Sequence, residues 1–137
     1  IGKGHRLADG DTITLVTTGS VTAFAMRAVR ELRDEGIYAD HIGMGSVWPI
    51  DAEQLLTSVR RTGKVVTVEE HYVKGGLGSI VLETLSENDL TVPLKRHGVP
   101  HSYASNGSYE ELMAYYKLDS KGIAEVIRDF VKGVHES

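Results

Sequence analysis

The 137-residue sequence contains no cysteine. A disulfide framework, a thiolate metal site and a cysteine nucleophile are therefore excluded, and the chain fits a reducing compartment. Positive charge is in the minority: 15 Lys+Arg against 19 Asp+Glu give a formal net charge of −4. General nucleic-acid binding needs clustered positive charge to displace counterions, so no nucleic-acid partner is expected. No uninterrupted apolar run approaches the roughly 20 residues that cross a bilayer, and nothing at the amino end resembles a signal peptide. No membrane partner is expected either, and a cytoplasmic location is. What is present is 41% apolar and 25% charged residues. A chain of this size and make-up buries about two-thirds of its unfolded surface around one core. One domain spanning 1–137 is expected, without linker, repeat or low-complexity segment. The sequence begins at Ile1 rather than Met, as expected for a fragment or subunit of a larger polypeptide.

The chain alternates strand and helix signals. Ile13 to Thr17 is a β-branched run, followed by Thr18-Gly19-Ser20 and then by apolar residues at Val21, Phe24, Ala25, Ala28 and Leu32, a helical spacing. Ser20 is placed to cap that helix and Gly36 to end it. A second strand is expected over Ile37 to Ile42. A second helix opens at Asp51, whose pairing with Gln54 reads as a capping box. Pro49 disfavours helix at Trp48 and fixes where that helix begins. The third strand, Lys64 to Glu69, is nearly continuous in hydrophobicity, as fits a strand covered on both faces. The following helix carries Leu77, Ile80, Val81, Thr84 and Leu85 on one side. A fourth strand over Thr91 to Lys95 is expected at an edge, because Pro93 cannot donate to a ladder. A short helix over Tyr109 to Tyr116 and a last helix capped at Asp119-Ser120, with Ile123, Val126, Ile127, Phe130, Val131 and Val134 as its apolar stripe, complete the pattern. The expected fold class is α/β: a three-layer, doubly wound, mostly parallel sheet of about five strands with helices on both faces.

The densest chemistry lies where the third strand ends: Glu69, Glu70, His71, Tyr72, Val73, Lys74, Gly75, Gly76, Leu77, Gly78, Ser79. Ligands of open α/β sheets bind beyond the carboxyl ends of strands. One reading has the glycine turn offer backbone N–H groups to an anion at the helix start. The other has Gly75, Gly76 and Gly78 permit positive φ and let the helix lie close on the sheet. The second is favoured, because the third glycine of a dinucleotide fingerprint would fall at Val81 and no Gly-Lys-Ser/Thr follows. Glu69 and Glu70 point to opposite faces if both stay in the strand, so they are no facing acid/base pair. A buried one needs a partner, with Lys74, His71 or a second chain as candidates. His71 itself has a titration range suited to catalysis, but a capped or partner-contacting histidine is the favoured reading. The other histidines, His5, His41, His97, His101 and His135, show no metal-ligand spacing. Gly43-Met44-Gly45-Ser46-Val47 lacks the Gly-x-Ser-x-Gly nucleophile arrangement. Gly43 and Gly45 are expected to shape the loop after the second strand, with Trp48 as a packing anchor. Tyr103, Tyr109, Tyr115 and Tyr116 form a candidate surface cluster.

Val65 to His71 followed by Gly75-Gly76-Leu77-Gly78-Ser79 resembles the signature of the carboxyl-terminal domain of the transketolase family, a superfamily that also includes deoxyxylulose-phosphate synthase and the β-subunits of 2-oxo acid dehydrogenases. The resemblance extends over nearly the whole chain, through Asp11 to Ser20, Trp48-Pro49-Ile50-Asp51, His97-Gly98-Val99-Pro100, Ser105-Asn106-Gly107, and Glu110-Glu111-Leu112 to Gly122-Ile123. It implies a parent enzyme that uses thiamine diphosphate with Mg²⁺, works as a dimer and, in a transketolase, passes a two-carbon ketol unit between sugar phosphates. It implies as partners the diphosphate-binding and pyrimidine-binding domains that hold the cofactor in the family, with none bound by this domain alone. No catalytic, cofactor-binding or metal-ligating residue is carried over. Glu69, Glu70, His71, Gly75, Gly76, Gly78 and Ser79 are the candidates for a dimer interface or the outer substrate funnel. Trp48 stands where the family often has lysine. The transketolase resemblance is favoured over deoxyxylulose-phosphate synthase. The dehydrogenase β-subunit ending Arg-Val-x-Gly-x-Asp-x-Pro is missing. A purely non-catalytic assembly module is the competing expectation.

Overall fold

The computed structural model describes residues 3–45, 50–71, 76–99 and 108–133, with His71 described by its backbone alone. Five strands, β1 (Gly4–Ala8), β2 (Ile13–Thr18), β3 (Ala39–Met44), β4 (Val65–His71) and β5 (Leu94–Val99), form one sheet in the order β1-β3-β2-β4-β5. β2 to β5 run parallel, and β1 pairs antiparallel with β3 at one edge. The helices are α1 (Val21–Arg33), α2 (Ala52–Thr62), α3 (Leu77–Glu87), α4 (Tyr109–Tyr115) and α5 (Ser120–Lys132). The expected α/β class is what the chain adopts.

Alternation along each strand splits the core in two. On one face Ile13, Leu15, Val66 and Val68 meet Ala25, Ala28 and Leu32 of α1 and Ile123 and Ile127 of α5. On the other, Val16, Ile42 and Val65 meet Leu55 and Val59 of α2 and Leu77, Val81 and Leu85 of α3. β2 is buried at its first five positions, as a central parallel strand must be.

The strand over Gly4–Ala8 has no counterpart in the sequence reading. The second expected strand lies two residues later, and the fourth occupies Leu94–Val99 rather than Thr91 to Lys95. Pro93 stays outside the strand, and its carbonyl accepts from Val65 N at 3.1 Å. The edge position expected for that strand is correct. Gly43, expected in the loop, ends up inside β3 against Leu7, where a Cβ would lie 3.0 Å from Leu7 Cδ1.

The helix ends follow from their caps. Asp51 accepts from Gln54 N and Asp119 from Gly122 N. Ser108 and Glu111 make a reciprocal capping box that starts α4. Ser20 occupies the cap position of α1 without capping it: its backbone is helical and its hydroxyl points elsewhere.

The α4–α5 turn is tightly specified. Lys117 adopts φ +58°, and its carbonyl accepts from His97 Nε2 at 2.6 Å. A Cβ at Gly122 would stand 2.4 Å from Lys117 Cα, against backbone that cannot rotate aside. Gly122→Ala is therefore expected to destabilise the chain by about 2 kcal/mol through overpacking. Urea denaturation checks this, and a loss below about 0.5 kcal/mol would show that the turn accommodates the methyl group.

Candidate functional site

The sheet order places a topological switch point between β2 and β4. α1 leaves β2 toward one face and β3, while α3 leaves β4 on the other face toward β5. The crevice beyond the carboxyl ends of these two strands is where doubly wound folds bind ligands. The described members of the Glu69–Ser79 constellation, Glu69, Glu70 and residues 76–79, sit there.

Glu69 is only 5% exposed. Its Oε1 accepts from Leu77 N at 3.2 Å and its Oε2 from Gly78 N at 3.0 Å, so one carboxylate binds two free N–H groups at the start of α3. Gly76, the cap residue, has no side chain to offer, and Glu69 supplies the missing acceptor across the turn. The positive end of the α3 dipole faces the same charge. The anion of the anion-site reading is thus already present as part of the chain. Lys74 and the His71 side chain, expected candidates with a second chain as partners of a buried Glu, lie outside the described residues; among those described, the backbone of α3 serves Glu69.

Neighbouring Glu70 faces the other side, as strand geometry demands. Its Oε2 accepts from Ser20 Oγ at 3.0 Å, and Ser20 Oγ lies 3.3 Å from Tyr109 Oη. Three segments distant in sequence therefore meet over the switch point: the β2–α1 turn, the end of β4 and the start of α4. Ser20 and Tyr109 are exposed, and Glu70 is half-buried.

Of the two roles expected for the glycines, the described ones show close approach of α3 to the sheet, not positive φ. Gly76 has φ −77° and Gly78 lies inside α3, so neither uses the left-handed region. What Gly78 provides is room, since a Cβ there would come 2.6 Å from Arg96 Nε. Arg96 Nη2 in turn donates to Ser79 Oγ at 3.0 Å, tying α3 to β5. Gly75, the His71 side chain, Trp48, Tyr103 and the turn at 105–107 lie outside the described residues. Of the tyrosines, Tyr109 and Tyr115 are exposed, and Tyr115 and Tyr116 pack edge to face at 4.9 Å.

Two polar groups that sequence reasoning passed over are deeply buried. His41, fully inaccessible on the α1 face of β3, has a pKa lowered to about 4 by burial. Thr17 Oγ1 donates to Thr22 Oγ1, so His41 Nε2 must be the donor in its 2.9 Å bond to Thr17 Oγ1. That leaves Nδ1 unprotonated and, among the described residues, without a partner. Asp40, also inaccessible, bonds Arg6, Arg61, Ser58 and Gly10 N at the opposite, amino-terminal edge of the parallel strands. A shallow cleft of about 400 Å³ lined by Asp9, Gly10, Asp11, Tyr38 and Arg61 opens beside it. Arg61 there is engaged by Asp40, Asp9 and the Gly10 carbonyl, so this cleft is a structural clasp. The only sequence signal for Asp40 was a carboxylate within a strand. No helix among the described residues is long and apolar enough to cross a membrane.

Comparison with known proteins bears on this geometry. The family described as "Transketolase, C-terminal domain" matches residues 2–123. One subunit of the apulose-4-phosphate transketolase of Phocaeicola vulgatus is 40% identical over 132 residues, covering 96% of this chain and 42% of that protein. The 1-deoxy-D-xylulose-5-phosphate synthase of Syntrophotalea carbinolica is 39% identical over 131 residues, covering 96% of this chain and 21% of that protein. A solved structure, "Split gene transketolase, inactive beta4 tetramer", superimposes with a TM-score of 0.87 at 38% identity, over 96% of this chain and 43% of that one. The chain thus spans less than half the length of these relatives.

Proposed function

The chain belongs to the transketolase C-terminal domain family, and from that membership we propose that it is the carboxyl-terminal domain of a thiamine-diphosphate-dependent transketolase. In this proposal the whole enzyme passes a two-carbon ketol unit between sugar phosphates in the pentose phosphate pathway, in the cytoplasm, and residues 1–137 are one domain of it. The observation that carries the reading is the 40% identity over almost the entire chain with a transketolase subunit. The proposed partners are the diphosphate-binding and pyrimidine-binding domains, on the same or a separate chain, in an assembly that is a homodimer of the whole.

Thiamine diphosphate and Mg²⁺ supply the carbon–carbon bond chemistry from those domains in this proposal. The described residues of this chain do not fit that cofactor. The Leu77 and Gly78 N–H groups are turned to Glu69, and among the described residues no three His, Cys, Asp or Glu side chains are grouped to hold a divalent ion. The role proposed for this chain is support: Glu69 fixes the start of α3, and Glu69, Glu70, His71, Gly75, Gly76, Gly78 and Ser79 border the dimer interface or outer substrate funnel.

The test is complementation. Mixing the chain with protein that supplies both the diphosphate-binding and the pyrimidine-binding domain of a transketolase, thiamine diphosphate and Mg²⁺ is expected to restore two-carbon transfer from a ketose phosphate to an aldose phosphate, with neither preparation active alone. Binding without any gain in rate would sink the reading and leave an assembly module. Identity to the Syntrophotalea carbinolica protein favours a second reading, for which the same proteins, given pyruvate in place of the ketose phosphate and glyceraldehyde 3-phosphate as acceptor, would release CO₂ and form 1-deoxy-D-xylulose 5-phosphate.

A further inference from the structure

The edge strand β1 is attached in a different way from the strand it pairs with. β3 is buried at every position, whereas no residue of β1 is fully buried and His5 and Arg6 are exposed. β1 pairs with β3 alone, and its register slips between Arg6 and Ala8.

Polar clasps hold both of its ends. At the first, Gly4 N donates to Asp51 Oδ2 at 2.9 Å. The Gln54 amide nitrogen, oriented to satisfy its neighbours, donates to the Gly4 carbonyl at 2.9 Å and to Asp51 Oδ2 at 3.2 Å. The cap and first turn of α2 therefore grip both the N–H and the carbonyl of one residue, and the same Asp51 caps α2 through Oδ1. The grip needs glycine: a Cβ at Gly4 would come 2.7 Å from both the Gln54 amide and Ile42 Cγ2. Beyond the other end, buried Asp40 accepts from Arg6 Nη2 and from Gly10 N, each at 3.2 Å.

We propose that β1 is a detachable strap: it opens from β3 as one unit, held closed by the Asp51–Gln54 clasp on Gly4 and by Asp40, while the β2–β4 ladder stays intact. Core strands resist opening because their apolar side chains would be exposed to water. The apolar side chains that β1 itself contributes are only the half-buried Leu7 and Ala8. Its N–H, carbonyl and guanidinium groups exchange their protein partners for water when it leaves, at small net cost. Asp40 meanwhile keeps Arg61 and Ser58 as partners, so opening strands no buried charge. Local opening of this kind marks a segment with little buried apolar contact. Opening would bare the β3 edge and free the first turn of α2 together. The strap does not depend on the function proposed above.

Native-state hydrogen exchange on the 137-residue chain tests it. Amides of the β1–β3 ladder are expected to exchange at least about tenfold faster than those of the β2–β4 ladder, with a weaker dependence on denaturant. Gly4→Ala is expected to accelerate the β1–β3 set by a further tenfold or so while leaving β2–β4 within about twofold. Equal rates and equal denaturant dependence in the two ladders would overturn the proposal, as would equal acceleration of both by the variant. If Gly4→Ala does not fold, Gln54→Ala removes one side of the clasp without crowding and is read in the same way.

Discussion

Glu69→Ala is expected to cost the chain about 3 kcal/mol, the sum of two buried N–H groups left without an acceptor and a lost charge at the positive end of α3. The carboxylate is 5% exposed, so water does not take over its two bonds to Leu77 and Gly78 without opening the core around Leu77. For a domain of this size the loss corresponds to roughly 10 °C in Tm. Glu69→Gln keeps one oxygen but turns an NH₂ group toward the N–H groups of α3, and is expected to lose about 2 kcal/mol. Exchange of the α3 amides should rise more than that of α1 or α5, because the damage begins at the α3 terminus. A Glu69→Ala chain within about 1 kcal/mol of the original would show that the carboxylate is not what holds this helix.

Acid is expected to weaken the fold in a window set by His41. An unfolded chain protonates this histidine as pH falls through its ordinary value of 6.5, but the folded chain resists until about 4. Between those limits the unfolded state binds the proton and the native state does not, so stability falls as pH drops, by about 3 kcal/mol in all, and then levels off. His97, also lowered chiefly by burial, adds loss of the same sign. Glu35 acts from the acid end of that range downward: the Arg128 hydrogen bond holds its pKa below 4.5, so its contribution disappears only as pH falls from about 4.5 through that lower value. The measurement is stability by urea unfolding at pH 7, 6, 5 and 4.5, for the original chain and for His41→Gln. Identical pH profiles for the two would remove His41 as the cause.

Much of this architecture was legible because it was written in side chains. Val65 to Val68 declared a buried parallel strand, Asp51 and Asp119 declared their helix starts, and strand alternation separated Glu69 from Glu70. What was hidden is what backbone and distant residues supply. Gly-His-Arg-Leu-Ala has neither β-branched residues nor clean alternation, and it becomes a strand because Asp40 and Asp51, more than thirty residues away in sequence, anchor it. The bonds of Glu69 to the start of α3 are not legible in the sequence, because N–H groups carry no residue identity. Ser20 was read as a cap because nothing local reveals that Glu70, fifty residues later, competes for its hydroxyl. The fourth strand slid past Pro93 because a residue without an N–H serves better as a flank, offering only its carbonyl.

The sheet order also constrains how copies of this molecule can meet. Both outer strands carry basic side chains in exposed positions, Arg6 on β1 and Lys95 and Arg96 on β5. Two sheets approaching rim to rim would bring like charges together along unpaired ladders, a standard guard against runaway fibre growth. Self-association through a continuous intermolecular sheet is thereby disfavoured.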